Sequence, residues 1–313
     1  MTRQHILDFN GLLASAARIP EKKILVVSPG NAETFEAVER AHAVLHTRFI
    51  LVGDEEVIDH GLSGPGVDRT RVSIHHHPEA RDALRTCMTM LHEGEGDVLM
   101  KGSIDTATLM KAVLDEKSGL RTGRLLSDIF VLEYPPRDED KFIMITDGGM
   151  TLAPDLKDKV ELINNAVEVA HALGNANPKV AVLSATEFIV PTLQSTLDAA
   201  ALSKMNDRGQ IRGCVVDGPL ALDNAISPDA VKEKGINSPV AGRAEILVAA
   251  NIESANSLAK STTFFAGLRL AHVIVGARVP ILIPSRADKS DAKLLSIALG
   301  MIMSDFAKES EDR

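Results

Sequence analysis

Short, continuous apolar runs alternate with stretches of helical apolar spacing along the first part of the chain. The clearest runs are KILVVS at 23–28 and RFILVG at 48–53. The predicted strands are 23–28, 48–53, 71–75 and 97–101, and the predicted helices are 32–45, 79–92 and 106–115. Strands that are apolar throughout and alternate with helices are typical of a parallel sheet covered on both faces. We therefore predict one α/β domain here, preceded by an amphipathic helix over 1–18.

The same alternation resumes beyond a polar, glycine-containing stretch at 116–124, which we interpret as the crossing into a second domain. Further predicted strands are 129–133, 141–146, 179–183, 213–217, 244–248, 272–276 and 280–283, with helices at 156–173 and 292–307. The length of 313 residues also favours two domains. We predict one α/β domain from 1–121 plus 275–313, and an inserted α/β domain from 122–274.

The composition is that of an ordinary globular protein, and it excludes several classes of function. The net charge is −9 and no Lys/Arg run occurs, which argues against nucleic acid as a partner. No apolar run approaches the roughly 18 residues that span a bilayer, so we expect a cytoplasmic protein without membrane contact. Cys87 and Cys214 lie far apart in apolar surroundings, so neither a disulfide framework nor a zinc site is expected.

The most informative segment is 280–293, called the elbow below. An apolar run ends there at a proline and is followed by a hydroxyl, a guanidinium and two carboxylates, at Ser285, Arg286, Asp288 and Asp291. The planar arginine fork suits two oxygens of a phosphoryl group, and free N–H groups at the start of the next helix add donors. The alternative is that these polar residues merely cap the helix and form a surface ion pair. Both interpretations stay open at this point.

A second segment, 99–107, leads from a predicted strand through Gly102 into a helix that begins near Thr106. Lys101 and Lys111 can place positive charge at the two ends of this segment. The alternative is an ordinary loop between a strand and a capped helix.

A third segment, Asp147-Gly148-Gly149, also follows a predicted strand. Paired glycines allow a ligand to approach the backbone closely, but they are equally suited to a tight turn. Neither the GxGxxG pattern nor the GxxxxGK[ST] pattern occurs, so no nucleotide fingerprint is present.

Two other patterns carry little weight. His75-His76-His77 suggests a metal site, but consecutive strand residues point to opposite faces, so no metal site is expected. Ser184 and Asp217 could belong to a hydrolase triad, but the GxSxG elbow of such enzymes is missing.

Together these stretches resemble the phosphate acetyl/butyryltransferase family over essentially the whole chain. The motifs that carry the resemblance are LMKG at 99–102 with Thr106-Ala107, DGG at 147–149, SATE at 184–187, VDGPLALDNA at 216–225, Ile252-Glu253 with Asn256, and Ser285-Arg286. The Met-Lys-Gly and Asp-Gly-Pro-Leu-Ala forms look more like the butyryl branch. They also look like the transferase half of hydratase–transferase fusions.

The resemblance implies the reaction acyl-CoA + phosphate ⇌ acyl phosphate + CoA, with coenzyme A as a substrate, no tightly bound cofactor and no metal. It implies two three-layer α/β domains with a cleft between them, similar to the isocitrate/isopropylmalate dehydrogenase fold, in a homodimer. Ser285 would stabilise the transition state, Arg286 would hold the phosphoryl group, and Asp288 or Asp291 would be the base. The substrate-binding residues that it implies are Lys101, Gly102, Thr106, Lys111, Asp147, Asp217, Glu253 and Asn256.

The chain departs from the family pattern at two positions. Lys111 stands where the acetyl branch has an anion-binding arginine, which removes a bidentate contact. Ala255 replaces a glycine of the pattern. Two alternatives to the transferase therefore stay open: a metal- and NAD-dependent dehydrogenase of related two-domain fold, and a non-catalytic relative that binds CoA or acyl phosphate.

Overall fold

The computed structural model describes residues 3–64, 66–134, 141–284 and 290–311. Within them the strands are β1 (Lys22–Val27), β2 (Thr47–Gly53), β3 (Val72–His76), β4 (Val98–Lys101), β5 (Ser127–Glu133), β6 (Phe142–Thr146), β7 (Lys179–Leu183), β8 (Val215–Leu220), β9 (Ile246–Val248), β10 (Leu270–Val275) and β11 (Ile281–Leu282). The helices are α1 (Phe9–Ala16), α2 (Ala32–Val44), α3 (Glu55–Gly61), α4 (Ala80–His92), α5 (Thr106–Val113), α6 (Leu156–Ala172), α7 (Gln194–Asp207), α8 (Leu222–Ile226), α9 (Pro228–Lys234), α10 (Ile252–Phe264) and α11 (Ser290–Glu311). The predicted α/β class is confirmed.

The chain divides into two compact units. The terminal unit comprises Phe9–Arg124 and Ala271–Arg313, and the central unit comprises Met1–Asp8 and Leu125–Leu270. The predicted helix over 1–18 is wrong, because α1 begins only at Phe9. The segment before α1 is held instead by a backbone hydrogen bond from Ile6 N–H to the Leu173 carbonyl, at 2.8 Å.

In the terminal unit the strand order is β3-β2-β1-β4-β11-β10. The first five of these strands run parallel, so their carboxyl ends share one edge of the sheet. The parallel arrangement predicted for the first four strands is confirmed, because β1 to β4 all pair in parallel. Strand β10, for which no direction was predicted, pairs antiparallel with β11. The connection between these two strands is too short for the crossover of about a dozen residues that a parallel pair needs.

In the central unit the strand order is β5-β6-β9-β7-β8. Strands β6, β9, β7 and β8 run parallel and again bring their carboxyl ends to one edge. Strand β5 pairs antiparallel with β6. The connection from Glu133 to Phe142 is likewise shorter than a crossover.

Helix α11 packs against α1 and α2 in the terminal unit. Two ion pairs fix its later turns: Lys22 Nζ lies 2.9 Å from Asp305 Oδ1, and Lys308 Nζ lies 2.5 Å from Asp97 Oδ1. Helix α11, which begins within the elbow at Ser290, is therefore anchored to the terminal unit through its later turns. Among the helices of the described residues, none is long and apolar enough to cross a lipid bilayer.

Candidate functional site

The loops after β1 and β4 pack closely at the carboxyl edge of the terminal unit. Gly102 N–H donates to the Val27 carbonyl at 2.9 Å, and Ser103 N–H donates to the Ser28 carbonyl at 2.7 Å. A Cβ atom on Gly102 would lie 2.4 Å from the Ser28 carbonyl oxygen and 2.5 Å from that of Val27. Because both obstacles are backbone atoms, the close approach of the two loops requires glycine at this position.

Lys101 is the last residue of β4, and its side chain is only 7% exposed. Its Nζ atom donates to the carbonyls of Gly102 and Ile104, each at 3.1 Å. A buried ammonium is therefore held inside the loop that joins β4 to α5, where it also supplies positive charge beside the start of that helix. The prediction that Lys101 places charge at a strand end agrees with this position.

The start of α5 shows the capping arrangement that the sequence left open. Asp105 accepts a hydrogen bond from Thr108 N–H at 2.8 Å and is the N-cap of the helix. The Thr108 hydroxyl, and then this backbone N–H, hold the pKa of Asp105 below its ordinary value. Thr106 and Lys111 lie on the same helix, and both are exposed.

Three predicted elbow residues, Ser285, Arg286 and Asp288, lie outside the described residues. Asp291 is described and is the second residue of α11. Its Oδ1 accepts a hydrogen bond at 2.9 Å from Nη2 of Arg40, a residue of α2.

Asp147, in the central unit, is a buried carboxylate surrounded by backbone donors. Its Oδ1 accepts from the N–H groups of Asp128, Gly149 and Met150 at 3.1, 3.0 and 3.1 Å, and its Oδ2 accepts from Thr151 N–H at 2.7 Å. Burial raises the pKa of Asp147, the hydrogen bonds oppose this shift, and the Asp128 carboxylate adds to it. The side chain is 2% exposed, so it organises the turn after β6.

Asn256 and Glu253 lie on α10, which follows β9. Asn256 Nδ2 donates to the Gly148 carbonyl at 2.8 Å and so ties α10 to the turn after β6. A Cβ on Gly148 would lie 3.3 Å from the Asn256 backbone nitrogen. Glu253 is exposed in the first turn of the same helix. The structure thus brings Asn256 together with the Asp147 turn.

Asp217 lies within β8 and forms a separate cluster. Its carboxylate accepts from the hydroxyl of Ser238, from the Ser203 hydroxyl at 3.4 Å and from the Gly218 N–H at 2.8 Å. The hydroxyl of Ser184, which a hydrolase triad would use, is hydrogen-bonded to Ser195 Oγ at 2.8 Å. Asp217 thus holds loops of the central unit, and its described partners do not include a histidine.

Two of the three consecutive histidines make separate local contacts. His76 Nδ1 accepts from Glu55 N–H at 3.2 Å, and His77 Nε2 lies 3.2 Å from the Thr86 hydroxyl. Across the described ranges, no group of three or more His, Cys, Asp or Glu side chains is arranged to hold a metal ion.

Sequence reasoning missed three residues of the terminal unit. Arg40 and Glu36 lie one turn apart on α2, and both contact Ser290 at the start of α11. Their spacing, an i, i+4 pair of opposite charges, is the sequence signal that they share one face of the helix. Ser28 adopts a left-handed backbone with φ 48°, and its buried hydroxyl has no hydrogen-bond partner within the part of the chain that is described. Nothing in the sequence signals that conformation.

Comparison with known proteins gives consistent matches. The family described as "Phosphate acetyl/butaryl transferase" matches residues 67–301. A phosphate butyryltransferase of Clostridium beijerinckii is 40% identical over 296 residues, which cover 95% of this chain and 97% of that protein. A phosphate acetyltransferase of Thermotoga maritima is 42% identical, with 93% of this chain and 98% of that protein covered. A crystal structure of a branched-chain phosphotransacylase from Enterococcus faecalis has a TM-score of 0.81 at 29% identity, covering 90% and 99% of the two chains.

The α/β fold and these matches define an acyltransferase. The chain belongs to the phosphate acetyl/butyryltransferase family, as its motifs indicated. The dehydrogenase and the non-catalytic alternatives are not favoured by the comparisons.

Proposed function

We propose that this protein transfers a short acyl group between coenzyme A and inorganic phosphate: acyl-CoA + phosphate ⇌ acyl phosphate + CoA. The observation that carries the proposal is the family match over residues 67–301, which includes every site residue predicted from the sequence. Relatives named for acetyl and for butyryl transfer match at 42% and 40% identity. Both acyl groups are therefore included as candidate substrates.

The chemistry needs a base for the thiol of coenzyme A. A thiol with a pKa of about 8.5 is mostly protonated at neutral pH, so little nucleophile is present without help. In the direction of CoA acylation, a carboxylate of the elbow, Asp288 or Asp291, takes the thiol proton. The sulfur attacks the acyl carbonyl carbon, the carbon–oxygen bond to the phosphoryl group breaks, and phosphate leaves with the electron pair.

Arg286 is assigned to the negative charge of the phosphoryl group, and Ser285 to the oxyanion that develops during the transfer. The guanidinium of Arg286 holds two phosphoryl oxygens with parallel hydrogen bonds. The hydroxyl of Ser285 donates to the oxyanion that develops on the carbonyl carbon, where one well-placed donor contributes roughly 100-fold or more to the rate. Transfer is direct within a ternary complex, without an acyl-enzyme.

The loop after β4 is assigned to the anionic part of the substrates. Lys101 and Gly102 hold this loop in shape, as shown by their contacts with the Ile104 and Val27 carbonyls. Thr106 and Lys111 are exposed on α5, so a hydroxyl and an ammonium are available there for phosphate groups. In a chain of net charge −9, such local positive charge is needed to bind polyanionic substrates.

The four central-unit candidates divide into two kinds of role. Asp147, Asp217 and Asn256 are committed to hydrogen bonds that shape loops at the carboxyl edge of the sheet, which supports a positioning role. Glu253 is exposed and is the member of the set available to touch a substrate.

We further propose that the protein is a cytoplasmic homodimer and that it needs no tightly bound cofactor or metal. Light scattering tests whether it is a dimer. Activity that survives treatment with EDTA tests whether a metal is required.

The mechanism is tested by initial-rate kinetics with acyl-CoA and phosphate varied together. Direct transfer predicts intersecting double-reciprocal lines, whereas an acyl-enzyme gives parallel lines. Arg286→Ala is expected to lower kcat/KM for phosphate by about 100-fold with thermal unfolding unchanged. The matched control is Arg278→Ala, at an exposed arginine that precedes Arg286 in the sequence, and it should retain full activity. Retained activity in Arg286→Ala would remove that residue from the site.

A further inference from the structure

Two side chains of α2 hold the first turn of α11. Ser290 donates its hydroxyl hydrogen to Glu36 Oε1 at 2.6 Å and accepts from Arg40 Nη1 at 2.8 Å. Arg40 Nη2 donates to Asp291 Oδ1 at 2.9 Å. Glu36 and Arg40 are four residues apart and so lie on one face of α2. One guanidinium therefore joins two consecutive residues at the start of α11 to the same face of α2.

This network is more constrained than an ordinary surface ion pair. Arg40 and Asp291 are 37% and 41% exposed, and a pair of such exposure alone contributes little to stability. However, Ser290 is buried, and its hydroxyl uses its one hydrogen on Glu36 while it accepts from Arg40. The guanidinium is thus fixed at two nitrogens, and its planar fork sets the direction of the Asp291 carboxylate.

The same contact already engages the Asp291 carboxylate. Its Oδ1 accepts a hydrogen bond at 2.9 Å from Arg40 Nη2, so this oxygen is used to orient the start of α11 against α2. The geometry therefore supports a role in orientation rather than in proton transfer.

We propose that Asp291 is a positioning residue and that Arg40, through Ser290 and Asp291, fixes the start of α11. Helix α11 begins at Ser290, shortly after Ser285 and Arg286 in the sequence, so we expect a change in its first turn to affect how these two residues bind phosphate. This inference rests on the proposed transfer between coenzyme A and phosphate.

The test is a double-mutant cycle with Arg40→Ala, Asp291→Asn and the double variant, assayed for phosphate-dependent release of CoA. Arg40→Ala and Asp291→Asn are each expected to lower kcat/KM for phosphate by about 10-fold, with KM for acyl-CoA unchanged. The double variant should show no greater loss of kcat/KM than either single variant, because all three lack the same contact between Arg40 and Asp291. The fall in kcat/KM at low pH, the acid limb of the pH profile, should persist in both single variants and in the double variant.

Matched controls come from an exposed ion pair on α4. Arg85 Nη2 lies 2.8 Å from Asp82 Oδ1, so Arg85→Ala and Asp82→Asn make the same charge changes elsewhere and should retain full activity. Arg40→Lys should recover part of the loss, since it restores the charge without the fork. If Arg40→Ala does not fold, the double-mutant cycle is carried out with Arg40→Lys in its place, together with Asp291→Asn.

The contrary results are distinct. Loss of about 100-fold or more in Asp291→Asn alone, together with loss of the acid limb, would identify Asp291 as the base and overturn the proposal. Unchanged activity in the single variants, or additive losses in the double variant, would also overturn it. Absence of phosphate-dependent activity in the unmodified protein would instead refute the proposed function, and this inference with it.

Discussion

The side chain of Asn256 donates a hydrogen bond to the carbonyl of Gly148, at 2.8 Å. This contact joins α10, the helix after β9, to the turn after β6, where four backbone N–H groups converge on Asp147. Two motifs that are about a hundred residues apart in the sequence thus form one structural feature of the central unit.

Asn256→Ala is expected to lower the free energy of unfolding by about 1–2 kcal/mol, because the Gly148 carbonyl loses its side-chain donor. Chemical denaturation measures the change. Ser257→Ala, on the exposed side of the same helix, is the control and should fall within about 0.5 kcal/mol of the unmodified protein. Equal stability of the two variants would show that the contact contributes nothing.

Gly102→Ala should be far more disruptive than Gly30→Ala, although both positions lie in the loops after β1 and β4. A Cβ on Gly102 meets two backbone carbonyls at 2.4 and 2.5 Å, whereas a Cβ on Gly30 meets the Ser103 hydroxyl at 2.8 Å, and that side chain can rotate away. We expect a loss of about 3 kcal/mol or more for Gly102→Ala and less than about 1 kcal/mol for Gly30→Ala. Thermal unfolding of the two variants checks the order, which reversed values would contradict.

His42 makes stability depend on pH. Burial, with help from Arg71, lowers the pKa of His42 from 6.5 to about 4 in the folded protein, while Asp68 opposes the shift. Between these values the unfolded chain binds a proton that the native chain does not, so this stabilisation is complete above pH 6.5 and is lost as the pH falls to about 4.

The expected size of the His42 effect is on the order of 3 kcal/mol across that window. His42→Leu should flatten the pH dependence of the free energy of unfolding, whereas the same change at the exposed His60 should leave the slope intact. An identical slope in His42→Leu and in the unmodified protein would refute the assignment.

The two cysteines should be invisible to thiol reagents in the native protein. Burial raises the pKa of Cys87 to about 12 and that of Cys214 to about 11, so little thiolate forms and access is blocked. Titration with a chromogenic disulfide should detect no thiol before unfolding and two afterwards. Rapid reaction of the native protein would contradict this, and it would also interfere with assays that follow the CoA thiol.

Much of the fold follows from the sequence because its signals are local. Apolar runs such as 179–183 coincide with a strand of the structure, and the polar breaks between them mark loops. The misjudged regions depend on non-local partners. The segment 3–8 has helical spacing, but it is not helical in the structure, where the Ile6 N–H donates to the distant carbonyl of Leu173.

The sequence likewise predicted those parts of the candidate site that depend on local motifs, and it missed the parts that depend on distant partners. Motifs placed Lys101 and Asp147 at strand ends, where the structure has them. The hydrogen bonds that commit Asp147 and Asn256 to a shared turn depend on how β6 and β9 pair, which no local pattern reveals. Arg40 was missed because its partners on α11 lie 250 residues away in the sequence.

The most direct test of the account is the formation of acyl phosphate from acyl-CoA, trapped with hydroxylamine, with acetyl-CoA through hexanoyl-CoA as donors. The account predicts a product that requires both acyl-CoA and inorganic phosphate, and CoA released in equal amount. The absence of phosphate-dependent product with every donor of this series would contradict the assignment of the protein as a phosphate acyltransferase.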